Sequence, residues 1–309
     1  MCSGILKMLK IESQENDVRL DRFIRRSYPF LPQSVLEKSL RKGNVKVNGK
    51  KVTSSFRLSE GDVISIYADY EEYAEIKVNH KILSVEDRSF LESIIIFEDD
   101  EICIVNKPHN ISVQGGTGLH KNLDDLFKLY EKNVNYKLMH RLDKNTSGVL
   151  VFAKTQDAAK NIAESFKNRM IEKKYIAIVH GCPKNKKGVI NEPLLKDFSN
   201  HKEKMTVHME GKEAITHYEV LATKNDFSCL VLKPLTGRTH QLRVHMAHIG
   251  HPIVGDYKYD SFIKKGHRLH LHSQSIKFPY GSKNKMMAFS APIDVLDLYS
   301  LFEDLLPIG

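Results

Sequence analysis

The sequence predicts an α+β protein with a mixed, largely antiparallel central sheet and flanking helices, preceded by a small N-terminal module of two helices and a hairpin. After residue 94, short β-rich runs outnumber helical patterns and are joined mostly by hairpin-length connections, which favours antiparallel pairing. The run VLVFA at 149–153 is continuously apolar, as in a central strand that is buried on both faces. A concentration of positive charge near the N-terminus sets the smaller module apart.

Composition limits the classes of protein that remain. A chain of 309 residues with 41% hydrophobic content is long enough for one large domain and a small one. The four cysteines are far apart and form no CxxC pair, so we expect neither disulfides nor a thiolate metal site, and we expect a reducing, cytoplasmic environment. No stretch approaches the roughly 18 apolar residues of a spanning helix, so we expect no membrane association.

The excess of positive charge lies mainly in residues 17–67. This segment holds eleven Lys or Arg against five Asp or Glu, a net +6 of the chain's formal +9. In a short helix beginning near Leu20, Arg22, Arg25 and Arg26 would share one face, because residues three and four apart are neighbours on a helix. Such a face suits the phosphate groups of a polyanion. A merely solvated basic surface is the alternative.

Two further signals complete the N-terminal module. The tetrapeptide SVLE has the pattern of a capping box with Ser34 as N-cap, and it predicts a second helix over about 35–42 that Gly43 ends. The run NVKVNGKKV alternates apolar and basic residues around Asn48 and Gly49, which predicts a hairpin. The predicted order is therefore helix, helix, hairpin.

The remainder divides into a linker and a large domain. Residues 68–93 are polar and acidic with little periodicity, and we interpret them as a linker. In the domain over 94–309, IFEDDEICIVNKP predicts two strands that turn at 98–101, and Thr155 is placed to cap a helix. Further predicted strands are KKYIAIVHG, AITHYEVLAT and FSCLVLKPL. No GxGxxG or GxxxxGKS/T motif occurs, so no nucleotide cofactor site is predicted.

One carboxylate stands out in the stretch HRLDKNTSGVLVFAK, which covers residues 140–154. Asp143 lies just before the predicted buried strand, in a turn where the Thr-Ser-Gly sequence at 146–148 can bond to backbone groups and hold the loop rigid. Such a carboxylate would have the fixed direction that catalysis requires. The alternative is that Asp143 only caps the turn or pairs with Arg141.

Arginines and histidines are concentrated in GRTHQLRVHMAHIGHP, residues 237–252. If Arg238 meets Asp143, the carboxylate stays ionised and oriented in a water-poor pocket. The histidines of this stretch and of 270–272 lack an HExxH motif or paired carboxylates, so we expect no catalytic metal. Phosphate contacts or satisfied interior histidines explain them better.

Two resemblances add to this interpretation. The stretch carried by RLDRFI, the predicted second helix and VKVNGKKV resembles the alpha-L RNA-binding motif. Four ordered motifs, IFEDDEICIVNKP, HRLDKNTSGVLVFAK, KKYIAIVHG and GRTHQLRVHMAHIGHPIVGD, resemble the RluA-type pseudouridine synthases over residues 94–300. The stretches SVQGGTG, PLLK and GKEAITHYEV are similar to the branch of that family that acts on large-subunit ribosomal RNA, called RluC.

The resemblance implies isomerisation of specific uridines to pseudouridine in large-subunit ribosomal RNA. It implies no cofactor and no metal, and we expect the chain to act as a monomer. Asp143 would start the reaction as a nucleophile or as a base, two roles that the sequence leaves open. Arg238 would pair with Asp143, and Tyr175 would lie against the uracil and help remove the final ring proton. Arg141 would fill the space that the flipped base leaves.

Other residues of the same motifs are implied on the RNA side of the site. Lys107 would contact phosphate or support the site. Asn110 stands in KPHN where the family usually has glycine, so Asn110 is expected to take any left-handed backbone position there. The remaining predicted substrate- or RNA-binding residues are His140, Thr146, Gln241, Arg22, Arg25 and Arg26.

Three other activities remain as alternatives. A pseudouridine synthase that acts on transfer RNA would use the same residues. A non-catalytic RNA-binding or ribosome-assembly factor would explain the basic module, but not an Asp, Tyr and Arg set placed in three separate motifs. A glycoside hydrolase normally needs a second carboxylate about 5 to 10 Å from the first, and no paired acid motif stands out in this sequence.

Overall fold

The computed structural model describes residues 6–70, 83–115, 121–197, 204–260, 266–281, 285–293 and 299–305. The described residues form two compact units, one within the first 82 residues and one from Leu83 onward. None of the helices in these ranges combines the length and the apolar character that crossing a lipid bilayer requires.

The smaller unit combines a three-stranded antiparallel sheet with two helices. Its strands are β1 at Lys7–Lys10, β2 at Val45–Val47 and β3 at Val63–Ile66, and its helices are α1 at Leu20–Ser27 and α2 at Gln33–Lys42. The strand order is β1–β3–β2, with β3 in the centre. Helices and strands share one core that includes Leu20, Phe23, Ile24, Leu36, Leu40, Val45, Val47, Ile64 and Ile66.

Helix α1 has the two faces that its residue spacing predicts. Its apolar side chains are buried in the core of the smaller unit. The residues on its exposed side are Arg22, Arg25 and Arg26. Three guanidinium groups on one side of a single short helix therefore face solvent.

Helix α2 begins earlier than the sequence predicts. It starts at Gln33 after Pro32, and Ser34 makes no capping hydrogen bond. The fixed backbone angle of Pro32 already directs the chain into the helix, so Ser34 falls inside the first turn and the predicted capping box is wrong. Gly43 ends the helix in the left-handed conformation, as predicted.

The predicted hairpin is correct in its turn and wrong in its second strand. Asn48 and Gly49 both have positive φ, as a tight turn requires. After the turn, the chain returns to β2 only through a bridge between Val47 and Lys50, and β2 pairs with β3 instead. Strand β3 supplies buried isoleucines to the core, whereas the lysines after the turn are exposed.

The larger unit is built on a ten-stranded sheet. Its strands are β4 (Ile95–Glu98), β5 (Ile102–Lys107), β6 (Lys137–Leu138), β7 (Ser147–Ala153), β8 (Glu172–His180), β9 (Lys187–Asn191), β12 (Ile215–Lys224), β13 (Phe227–Pro234), β14 (Leu271–Tyr280) and β15 (Lys285–Ser290); a separate antiparallel pair is β10 (Leu194–Asp197) with β11 (Lys204–Val207). The main order is β4–β5–β7–β14–β8–β13–β12–β9, with β15 beside β14 and β6 beside β7. Among the described strands only β7 and β14 pair in parallel, so the predicted mixed, largely antiparallel sheet is confirmed.

Strand β7 lies inside the sheet of the larger unit, between β5 and β14. All seven of its residues are buried, as the apolar run predicts. Leu150 and Phe152 belong to one hydrophobic cluster, whereas Val149 and Val151 belong to another, because successive side chains of a strand point to opposite faces. The strand that follows Asp143 is therefore fixed from both sides.

Four α-helices and a 3-10 helix at Tyr299–Leu305 accompany this sheet in the described residues. The α-helices are α3 (Val85–Ile94), α4 (Leu123–Tyr130), α5 (Gln156–Lys167) and α6 (Gln241–His248). The apolar side of α4 joins the first of the two clusters around β7, and that of α5 joins the second. Thr155 caps α5 by accepting a hydrogen bond from the Ala158 N–H at 3.1 Å, as predicted.

Part of the predicted linker is helical. Residues 71–82 of the stretch 68–93 lie outside the described residues, but α3 occupies most of its second half and belongs to the larger unit. Ser84 caps α3 through Asp87, and Leu91 and Ile94 are buried. A short helix with only two fully buried positions leaves a weak periodic signal, so the sequence pattern does not distinguish α3 from a linker.

Candidate functional site

Asp143 lies in the turn between β6 and β7. The Thr146 N–H donates to the Asp143 carbonyl oxygen at 3.1 Å, and the Thr146 side chain is buried, so the turn is anchored. Gly148 has a φ of +109°, and a Cβ at this position would collide with the carbonyl of Ser273 in β14. Only glycine allows this approach, which fixes the start of β7 and with it the position of Asp143.

A cavity of about 480 Å³ opens beside this turn. Predicted site residues from three separate motifs line it, namely His140, Arg141, Asp143, Thr146, Tyr175, Arg238 and Gln241. Lys167, Arg169 and Lys173 also line this cavity. A cavity with one carboxylate and this many cationic groups suits an anionic ligand such as a nucleotide within a nucleic acid strand.

The partner of Asp143 is Arg243. Arg243 Nη1 lies 3.3 Å from Asp143 Oδ2, and the arginine side chain is buried in the first turn of α6. Its Nε and Nη2 each donate to the carboxylate of Asp256 at 2.7 Å. This two-point contact with a fully buried carboxylate directs the remaining nitrogen at Asp143.

Arg238 does not pair with Asp143, so that part of the sequence prediction is wrong. Its Nε donates to the carbonyl of Glu213 at 2.9 Å, and its side chain is exposed at the rim of the cavity. The loop that carries Arg238 precedes α6, whereas Arg243 lies within the helix and points into the unit. Arg243 stands five residues after Arg238 in the same motif, and the sequence does not distinguish the two arginines.

Tyr175 lies in β8 and lines the cavity. Its side chain is 8% exposed, and burial raises the pKa of its hydroxyl to about 12, with the nearby Asp143 charge acting in the same direction. The hydroxyl is therefore protonated throughout the physiological range. Tyr175 therefore lines the same cavity as Asp143 with a neutral hydroxyl.

Lys107 is buried behind the Asp143 turn and is not available to RNA. Its side chain is fully buried, and Nζ donates to the carbonyls of Pro108, Ile111 and Lys144 at 2.9 to 3.0 Å. Burial lowers the pKa of Lys107 to about 7, an effect that Asp143 opposes. Of its two predicted roles, phosphate contact is wrong, and the supporting role agrees with the bond to the residue after Asp143.

Gln241 has no polar group left for a ligand. Its Oε1 accepts from the Thr236 hydroxyl and from the Arg238 N–H, and its Nε2 donates to the Ile215 carbonyl and the Thr216 hydroxyl. The predicted substrate contact through this amide is therefore wrong. Gln241 instead ties the start of α6 to the strand β12.

His140 is held by the strand beside it. Its Nε2 accepts a hydrogen bond from the Val151 N–H at 3.2 Å, and burial, followed by the charge of Lys173, lowers the pKa of His140 to about 3. Its ring also packs 5.8 Å from that of Phe166. His140 therefore lines the cavity as a neutral side chain.

Two of the other histidines are hydrogen-bonded within the protein. His245 contacts the Thr216 hydroxyl and the Glu192 carbonyl, and His272 contacts the Ser147 hydroxyl. Within the described ranges, no three His, Cys, Asp or Glu side chains are grouped as metal ligands would be. Asn110 has a φ of +63°, which is the left-handed conformation predicted for that position.

Models of two protein families match this chain. The model described as RNA pseudouridylate synthase matches residues 101–248, the range that contains Asp143, Tyr175 and Arg243. The model described as S4 domain matches residues 18–64, which lie in the smaller unit. The two matches follow the division of the chain into its two compact units.

Relatives of similar length carry one name. A protein of Buchnera aphidicola subsp. Baizongia pistaciae named ribosomal large subunit pseudouridine synthase C is 33% identical over 299 residues, which cover 93% of each chain. A protein of the same name from Vibrio cholerae is 32% identical over 94% of each chain. These alignments include both units.

Solved structures share the fold of the larger part of the chain. The human RNA pseudouridylate synthase domain containing 4 superposes with a TM-score of 0.58 at 25% identity, covering 70% of this chain and 97% of the other. The human RNA pseudouridylate synthase domain containing 1 superposes with a TM-score of 0.56 at 27% identity, covering 64% of this chain and 82% of the other. The extent of the sequence identity and the shared fold show that this chain belongs to the RNA pseudouridylate synthase family.

Proposed function

We propose that this protein isomerises specific uridines of large-subunit ribosomal RNA to pseudouridine. The observation that carries the proposal is the ion pair between Asp143 and the buried Arg243, in a cavity that Tyr175 also lines. Relatives named ribosomal large subunit pseudouridine synthases support the choice of RNA. We also propose that the protein acts as a monomer in the cytoplasm.

The reaction needs few groups. The bond between uracil N1 and ribose C1′ breaks and a bond between C5 and C1′ forms, after which C5 loses its proton and N1 gains one. Atoms and electrons balance without a co-reactant. A single carboxylate can start the reaction by attack on the nucleoside or by removing the C2′ proton. Asp143 is the carboxylate that faces the cavity, and the Tyr175 hydroxyl assists the final proton removal.

The target uridine must leave its stack to reach Asp143. Arg141 is exposed at the cavity, two residues before Asp143, and it fills the space that the base vacates. The cationic groups at the rim, among them Lys167 and Arg238, hold the neighbouring phosphates. Phosphate contacts of this kind position the strand without reading its sequence.

The smaller unit supplies additional RNA affinity. Arg22, Arg25 and Arg26 face solvent on one side of α1, and the matched S4 family model covers this helix. Three exposed guanidinium groups gain affinity for RNA by releasing counterions from phosphate. This contribution is independent of sequence.

The experiment must distinguish ribosomal RNA from transfer RNA as the substrate. The purified protein is incubated with large-subunit ribosomal RNA and with bulk transfer RNA, each labelled with tritium at uridine C5, and the released tritium is counted. We expect release from ribosomal RNA at a few sites. Release from transfer RNA alone would overturn the choice of substrate, and release from neither would overturn the activity.

Asp143→Asn is the matched control. The amide keeps the size of the side chain but cannot act as a nucleophile or base, so we expect no detectable tritium release while folding and RNA affinity are retained. Pseudouridine formation by the pure variant would remove Asp143 from the mechanism. A chain that binds RNA but releases no tritium in its native form would instead be a binding factor.

A further inference from the structure

His240 stands beside the Asp143–Arg243 pair in an unusual backbone conformation. It precedes α6 with φ +54° and ψ +19°, in the left-handed region that residues other than glycine adopt only at an energetic cost. Its Nε2 lies 3.8 Å from Asp143 Oδ2, and its side chain is 17% exposed at the cavity. The conformation directs the imidazole edge at the carboxylate.

The other nitrogen of His240 is held by Tyr259. The Tyr259 hydroxyl lies 2.7 Å from His240 Nδ1, and the same oxygen accepts a hydrogen bond from the Met205 N–H at 3.2 Å. A backbone N–H can only donate, so the hydroxyl hydrogen remains available for Nδ1. The described residues offer this hydroxyl no other hydrogen-bond partner.

The electrostatic surroundings keep the imidazole neutral. Burial lowers the pKa of His240 to about 4; Asp143 opposes this shift, and Arg243 reinforces it. A protonated His240 would also place a second positive charge close to the buried guanidinium of Arg243. A neutral imidazole with Nδ1 accepting must carry its hydrogen on Nε2.

We propose that Tyr259 is a positioning residue that fixes His240 as the Nε2–H tautomer, so that His240 and Arg243 both direct N–H groups at Oδ2 of Asp143. The proposal rests on the function proposed above. Both donors approach the same carboxylate oxygen, and Oδ1 has no hydrogen bond within the described residues.

The tautomer can be measured without any turnover. The protein is labelled with nitrogen-15 at histidine, and long-range proton–nitrogen correlation spectra assign the protonated nitrogen of His240, whose signals are those missing in His240→Asn. We expect a single Nε2–H form in the native protein and its replacement by Nδ1–H or a mixture in Tyr259→Phe. An Nδ1–H form in the native protein, or an unchanged spectrum in Tyr259→Phe, would overturn the proposal.

The matched control is Tyr257→Phe. Tyr257 is exposed two residues before Tyr259, so the same loss of a hydroxyl should leave the His240 signals in place. Tyr259→Phe keeps the ring that lies 5.1 Å from the Arg243 guanidinium, which separates the loss of the hydroxyl from a loss of packing.

Turnover tests the consequence for the reaction. We expect Tyr259→Phe to lower kcat about tenfold with little change in KM, since only the orientation of a donor is lost. His240→Asn, which tolerates the left-handed backbone, should lower kcat at least as much, and the double variant no further. Additive losses would show that Tyr259 acts elsewhere. A native protein that turns over no RNA would refute the proposed function, but it would leave the tautomer result standing.

Discussion

The Arg243 guanidinium is shared between two carboxylates, and the more buried one holds it more closely. Both contacts to Asp256 are 2.7 Å long, whereas the contact to Asp143 is 3.3 Å. Asp256 has no exposed side-chain surface, and Asp143 keeps 28% of its own. Asp256 therefore determines where Arg243 lies. Asp143 has a positive charge in a fixed position beside it and is still partly exposed.

Replacing the two arginines should separate their roles. Arg243→Ala leaves the Asp256 carboxylate buried without its partner, so we expect a loss of about 3 to 5 kcal/mol in the free energy of unfolding, together with loss of turnover. Arg238→Ala removes an exposed side chain and should change the free energy of unfolding by less than about 1 kcal/mol. Urea unfolding of both variants measures the difference. Equal losses would contradict the buried pairing.

Arg243→Lys tests whether the shape of the guanidinium is needed in addition to its charge. Lysine keeps the charge of Arg243, but a single ammonium cannot bond both oxygens of Asp256 and also reach Asp143. We expect Arg243→Lys to retain more stability than Arg243→Ala and still to lose at least tenfold in turnover. Native turnover by this variant would show that the charge alone is sufficient.

Tyr175→Phe should separate the hydroxyl from the ring. The ring keeps the packing of β8 in the core, so we expect a folded protein with unchanged RNA affinity and a turnover at least about a hundredfold lower, because a group that transfers a proton contributes on that scale. Single-turnover kinetics at saturating enzyme measures this. A rate equal to that of the native protein would exclude the hydroxyl from the chemistry.

His140 should make the larger unit sensitive to acid. The pKa of His140 is about 3 in the folded protein because of burial, against about 6.5 in the unfolded chain. Above pH 6.5 both states are neutral, and as the pH falls only the unfolded state gains the proton, so stability is lost between pH 6.5 and about 3. The contribution is about 1.5 kcal/mol between pH 6.5 and 5. His140→Gln, which keeps an acceptor for the Val151 N–H but does not titrate, should flatten this part of the profile; an unchanged slope would contradict the assignment.

The arginine face of α1 should determine part of the salt dependence. Each phosphate contact contributes roughly 0.7 to 0.9 to the slope of log affinity against log salt, so changing Arg22, Arg25 and Arg26 together to alanine should reduce that slope by about 2. Changing the same three residues to lysine keeps the charge and serves as the control. An unchanged slope in the alanine variant would show that this face is only solvated.

The parts of the site that sequence reasoning located are those fixed by neighbouring residues. The turn at Asp143 and the strand after it are encoded within fifteen residues, by a Thr-Ser-Gly sequence and an apolar run. The choice between Arg238 and Arg243 depends instead on α6, where six successive residues from Gln241 to Met246 are buried. A helix covered on every side has no apolar stripe, so its periodicity did not reveal which arginine points inward.

The roles of polar side chains were harder to predict than their positions. Gln241 lines the cavity, whereas Lys107 is buried and bonds to the residue after Asp143. Both have all their side-chain hydrogen-bonding groups bound to the protein itself. Their partners come from loops and strands that are distant along the chain. A motif shows that a polar residue is required, but not whether its partner is the ligand or the backbone.

The parallel pairing of β7 with β14 has a consequence during synthesis of the chain. Ser147 and His272, which bond at the start of these strands, are 125 residues apart, and Arg243 follows Asp143 by 100. Contacts of such separation form late and slowly during folding. During synthesis, Asp143 therefore leaves the exit tunnel of the ribosome long before β14 is available to pair with β7. The nascent chain can expose its basic N-terminal helix to RNA while it still lacks a complete active site.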